Sequence, residues 1–229
     1  VRAWLHRTLV EMVPRDHRQS IRDLRRRQVV TSLFVVLGAV VLGLSLNIEP
    51  GSPWFYPATF GLAVVWTIGA FASGPLHLGR IAHTSEQLRR PVLGPILLGL
   101  GLAAVFVVGG LVVREMPWLG DQVRSILDFA DEGSVALLLV ITVVNGIAEE
   151  LFFRGAAYAA VTQYPVVVTT VAYAVATLAT GNVMLAFAAV LLGAVVGLER
   201  RASGGVLAPI LTHVTWSATM LLALPVVFA

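Results

Sequence analysis

Apolar positions fall into long, nearly continuous runs, broken by short polar segments. The runs cover residues 29–46, 55–73, 92–113, 135 to about 153, 166–180, 183–198 and 206–228. A helix crossing a bilayer needs about 17–25 such residues, and several runs lie near the short limit. They are too long and too continuous for the alternating strands of a membrane barrel. The pattern predicts an all-α fold: a polytopic membrane bundle of about seven transmembrane helices. The fourth run is expected to continue as helix to about Val161.

Residues 1–28 differ from everything after them. Eight arginines, from Arg2 to Arg27, interleave with Trp4, Leu5, Leu9, Met12, Val13, Ile21 and Leu24. This predicts a basic interfacial helix, broken by Pro14, lying on an anionic leaflet; a bare topology signal is the alternative. The basic stretch is too long for a cleavable signal peptide, and further spans follow the first. The chain therefore divides into an interfacial segment (1–28), a three-span region with a loop (29–134) and a four-span core (135–229). Residues 121–130 predict a short amphipathic helix in that loop, with Val123, Ile126, Leu127 and Phe129 on its apolar side.

Loop charge orients the bundle. Basic segments (the N-terminus, then Arg80, Arg89 and Arg90, then Arg200 and Arg201) alternate with neutral or acidic ones, the latter carrying Glu115, Asp121, Asp128, Asp131 and Glu132. Basic loops stay in the cytoplasm, so the N-terminus is expected inside and the C-terminus outside, in a bacterial plasma membrane.

Composition agrees with the pattern. Of 229 residues, 57% are hydrophobic and 13% charged, against about 25% charged in soluble domains. The net charge of +3 comes largely from the N-terminus and gives no reason to expect nucleic acid. There is no cysteine, which excludes disulfides, thiolate nucleophiles and cysteine-held metals. No His-Glu-x-x-His occurs, and His213 is the one histidine at membrane depth; His6, His17, His77 and His83 lie in the N-terminal region or the loop after the second run. Neither a metal nor a cofactor is expected.

The chemistry concentrates at Glu149 and Glu150. A carboxylate at a helix centre in the bilayer costs about 2.5–3.5 kcal/mol, so two must be buried in protein, paired or used. Glu150 and Arg154 stand i,i+4 with the acid first, the better orientation for a structural pair. Glu149 points about 100° away and has no local cation. Counting inward at 1.5 Å per residue, Glu149 lies about 21 Å from Val135, and His213 about 12 Å from Gly205. The two reach one layer. Arg154 falls near the boundary, where its guanidinium is expected to snorkel. Asn145 is one turn before Glu149, and Ser217 one turn after His213.

These residues carry a resemblance. Glu149-Glu150-x-x-x-Arg154, then Thr169-Thr170-Val171-Ala172-Tyr173, then Gly204-Gly205-Val206-Leu207-Ala208-Pro209-Ile210-Leu211-Thr212-His213 resembles the CPBP family of intramembrane proteases. That family includes the CAAX prenyl endopeptidases and bacteriocin-processing Abi proteins. The likeness spans about residues 136–222, and residues 191–201, with Gly193 and Gly197, also resemble the family's helix before the last motif. Small residues four apart equally suit plain helix packing. The resemblance implies that Glu149 and a histidine four residues after an aromatic residue activate water, while His213 and an Asn or Asp one turn later stabilise the oxyanion. The aromatic position is Tyr173, but the histidine position holds Thr177 and the Asn/Asp position Ser217. A threonine hydroxyl cannot replace imidazole as a base. General acid–base participation is worth about 10²–10⁴-fold, and one oxyanion donor about 10²–10³-fold. A lone buried glutamate can in principle activate water, and Ser217 can still donate.

The expectation is a CPBP-type membrane protein with half the catalytic set replaced. It would be non-proteolytic or very slow, and would hold a membrane partner or a lipid-modified tail. The alternatives are an active glutamic endopeptidase acting on membrane-associated or prenylated peptides, and a structural subunit of a larger complex. Thr177, Thr180 and Ser217 also suit ordinary helix interfaces, and Glu149 and His213 a buried network that needs no substrate. A transporter is disfavoured, because no internal repeat is evident and the polar residues crowd into the last four runs.

Overall fold

The computed structural model describes residues 2–15, 17–49, 51–82, 87–131 and 134–229. The elements are α1 (Arg2–Leu9), α2 (Ile21–Leu46), α3 (Phe55–Ser73), β1 (Ile81–Ala82), β2 (Leu88–Arg89), α4 (Leu93–Val113), α5 (Pro117–Asp131), α6 (Val135–Glu150), a π-helical stretch (Leu151–Ala157), α7 (Tyr158–Ala160), α8 (Pro165–Leu178), α9 (Val183–Ser203) and α10 (Leu207–Phe228). His83 and Glu132, named above, lie outside the described residues.

The fold is a polytopic helical bundle. Among the described residues, six helices are long and apolar enough to cross a membrane: α2, α3, α4, the continuous helix Val135–Ala160, α9 and α10. The remaining apolar run, the fifth, is α8, with 14 residues, about 21 Å long. Its start follows Ala159 and Ala160, whose carbonyls accept from Gln19 and Gln28 near the start of α2. Its end leads to Asn182, which donates to the Gln122 carbonyl of α5. It therefore runs between the same two ends as its longer neighbours.

Local chemistry sets the boundaries. Ser20 caps α2 by accepting from the Asp23 N–H, while its hydroxyl donates to the Asp23 carboxylate, a reciprocal cap of the Ser-x-x-acid kind. The first span thus begins at Ile21, eight residues before the apolar run, and Arg22–Gln28 belong to it. Within the basic segment α1 ends at Leu9, and residues 10–15 and 17–20 form a strap leading to the cap. Asn182 caps α9 through the Met184 and Leu185 N–H groups. α9 continues to Ser203, so Arg200 and Arg201 lie in helix, not in a loop. Residues 117–131 form the expected helix, starting four residues earlier than read from the sequence.

In the core, α4 packs on α10, α8 on α9, and α2 on α3, while α6 lies between α3 and α10. Trp66, Phe152 and Phe153 form an aromatic centre. Gly38 gives Trp66 its place, since a Cβ there would overlap the indole. Gly193 and Gly197 face Thr170 and Val166 of α8, the close helix approach that small residues permit.

Candidate active site

Glu149 and Glu150 close α6, where the helix passes into the π-helical stretch Leu151–Ala157. Such stretches are rare and frequently accompany functional sites. This one holds Phe152, Phe153 and Arg154, all fully enclosed.

Glu150 is 0% exposed. Its Oε1 accepts from Arg154 Nη1 at 3.0 Å and lies 2.8 Å from His213 Nδ1. The expected pair forms, but His213 joins it. Arg154 does not snorkel: its side chain is 0% exposed and its guanidinium lies 4.8 Å from the Tyr173 ring centroid, a cation–π distance. Its carbonyl accepts from Arg200 Nε at 2.6 Å, so α9 is tied directly to the π-helical stretch.

Glu149 is the more accessible of the two, with its side chain 15% exposed. Its Oε2 accepts from the Tyr173 hydroxyl at 2.6 Å and lies 4.0 Å from His213 Nε2. That separation exceeds a direct hydrogen bond. A carboxylate only accepts, so the proton between Glu150 and His213 sits on Nδ1. In the neutral ring Nε2 is then the acceptor, turned toward Glu149.

The structure therefore brings Glu149, Glu150, Arg154, Tyr173 and His213 together. Asn145 does not bond Glu149: its amide donates to the Ile141 carbonyl of its own helix, and its Oδ1 is buried without a partner. Thr177 is buried, and its hydroxyl donates to the Tyr173 carbonyl at 2.9 Å. Ser217 lines a separate cavity of about 490 Å³, with Phe106, Ile126, Phe187 and Trp216 among its walls. Trp216 links the two places, its ring centroid 6.3 Å from that of His213.

Two buried charged residues escaped the sequence reading. Glu199 is fully enclosed in α9, and neither carboxylate oxygen has a hydrogen-bond partner; the nearby Thr212 hydroxyl donates to the Pro95 carbonyl instead. Arg200 is buried and lies over the Tyr158 ring. Their only sequence signal was three consecutive charges ending an apolar run, which reads as a loop. Among the described residues, no group of His, Asp or Glu could hold a metal ion.

Fold and site together define a polytopic helical membrane protein with a buried glutamate–histidine centre. Residues 131–219 match the family model described as Type II CAAX prenyl endopeptidase Rce1-like. The matched segment contains Glu149, Glu150, Arg154, Tyr173, Thr177, His213 and Ser217, and leaves the first 130 residues outside. No curated protein and no solved structure gives a match.

Proposed function

We propose that the chain uses a CPBP-type polar centre to hold a membrane partner or a lipid-modified tail, and cuts it very slowly or not at all. Loop charge supports a cytoplasmic N-terminus and an outer C-terminus in a bacterial plasma membrane. The observation that carries the functional reading is Thr177. At the position where the resemblance implies a water-activating imidazole, the side chain is a hydroxyl whose proton is committed to its own helix. A second observation keeps hydrolysis in play as the competing reading. Glu149 Oε2 and His213 Nε2 are two acceptors 4.0 Å apart, and a water donating to both would be polarised toward attack.

The test is peptidase activity of the purified protein on membrane-associated and prenylated peptides. Little activity is expected. Thr177→His with Ser217→Asn should raise it by about 10²-fold or more, as regained acid–base and oxyanion groups would. Glu149→Gln should abolish that gain and leave partner capture intact. Efficient cutting by the natural protein, lost in Glu149→Gln, would establish an active endopeptidase instead.

A further inference from the structure

The strap of residues 10–15 and 17–20 is fastened to the end of α9. Val13 is buried and its N–H donates to the Ala202 carbonyl, while Arg15 Nη1 donates to the Arg201 carbonyl at 2.8 Å. The His17 ring stacks on His77, with centroids 3.9 Å apart and planes 7° from parallel. His77 belongs to the loop between α3 and β1, where Arg90 Nη1 donates to the Gly79 carbonyl at 2.7 Å. Strap, loop and hairpin enclose a cavity of about 420 Å³, lined by Arg15, His17, His77, Arg80 and Arg90.

That lining is one-signed. Three guanidinium groups, Arg15, Arg80 and Arg90, converge beside the stacked His17 and His77 rings, and no carboxylate lines the cavity among the described residues. Two more guanidinium groups, Arg27 and Arg200, act electrostatically on His77. Like charges brought together repel, so the cluster opposes the closure that the strap's backbone bonds achieve. The close approach is built in. Gly79 and Gly204 have positive φ, and a Cβ on Gly204 would meet the Arg15 side chain at 3.0 Å. The rim is apolar: Leu78 and Leu88 line the cavity and are exposed, and exposed Val92 and Leu93 continue from it onto α4.

We propose that this cavity binds the phosphate headgroup of an anionic phospholipid, with the acyl chains running over Leu88, Val92 and Leu93 along α4. Guanidinium forks suit phosphate oxygens. The cavity lies where α3 and α9 end and α4 and α10 begin, at one end of the spans. The apolar rim selects a lipid over a free anion. The site is separate from the glutamate–histidine centre and holds whether or not that centre cuts.

The experiment uses the full chain, extracted from vesicles of phosphatidylcholine with a minor fraction of phosphatidylglycerol, and counts retained lipid by native mass spectrometry. The wild type should retain phosphatidylglycerol preferentially. Arg15→Gln/Arg80→Gln/Arg90→Gln should lower that preference by about tenfold or more, the loss of at least one charge-assisted hydrogen bond. Arg2→Gln/Arg22→Gln/Arg25→Gln removes the same charge outside the cavity and should retain it. Equal loss in both variants would overturn the proposal in favour of diffuse attraction. Displacement of the lipid by inorganic phosphate at comparable concentration would overturn the lipid assignment. Should the first variant fold poorly, a photoactivatable phosphatidylglycerol decides the matter on the wild type. Labelling must include residues 75–80 or 87–93, and labelling confined elsewhere sinks the idea.

Discussion

At the level of Glu150, α6, α8, α9 and α10 enclose Glu150, Arg154 and Glu199 so completely that none is exposed. Farther along α10, at Trp216, Met220 and Leu224, α6, α9 and α10 with α4 and α5 surround about 490 Å³ of mostly apolar space. The same bundle is thus tightly filled with charge at one level and hollow at another. Removing a partner from an enclosed charge is costly; Glu150 meets Arg154 and His213 at hydrogen-bond distance, which demands tight packing around it, while Glu199 finds no partner. An apolar cavity imposes no such demand and can stay open for a chain or side chain of an occupant. His213 and Ser217, one turn apart, sit on either side of the border. Polar chemistry and apolar binding volume are therefore neighbours on α10 but do not coincide.

The sharpest way to break this comparison is Glu150→Ala. It strips Arg154 and His213 of a shared partner in a sealed site, and should cost about 3–5 kcal/mol, read as a large fall in the unfolding temperature in detergent. Glu149→Gln should cost far less, because an amide oxygen still accepts from Tyr173. Equal costs would mean that the two glutamates are not differently employed. Next in size is Asn182→Ala. It removes the α9 cap and the bond to α5, with an expected loss of about 1–2 kcal/mol and faster hydrogen exchange in α5. Ala188→Phe, which fills the hollow level, should change stability by at most about 1–3 kcal/mol and weaken capture of a lipid-modified tail. Unchanged capture would detach the cavity from function.

The smallest effect concerns the strap. Burial first, then Arg200 and Arg27, holds His77 below the usual imidazole range. The unfolded chain then binds more protons than the folded one, so stability falls as pH drops below about 6.5. Exchange of backbone amides in residues 10–20 should accelerate on acidification, and His77→Gln should flatten that dependence.

Much of this was legible in the sequence. Apolar runs located the spans, and helical rise counted along two of them brought Glu149 and His213 into one layer. What remained hidden depended on neighbours. Arg154 reads as a boundary residue by depth, yet the π-helical stretch and Tyr173 turn it inward. Glu199-Arg200-Arg201 reads as a loop, yet α1 packs over that end of α9 and the helix runs on to Ser203. The Tyr173–Glu149 bond joins residues 24 apart, and nothing in either segment alone announces it.

The junction at Gly205 has a consequence for synthesis. The Val206 and Leu207 N–H groups, which open α10, donate to the carbonyls of His77 and Leu78, and the Arg80 N–H donates to Ser203. A Cβ on Gly205 would collide with the backbone of Leu78 and Gly79. These partners lie about 130 residues apart, and translation at about 5–20 residues per second separates their emergence by roughly 6 to 25 s. For that interval the loop after α3 lacks these partners while four later segments enter the membrane. Helix α10 is the one that closes the loop after α3, so a chain stalled before Gly205 would leave that turn open for quality-control proteases to find.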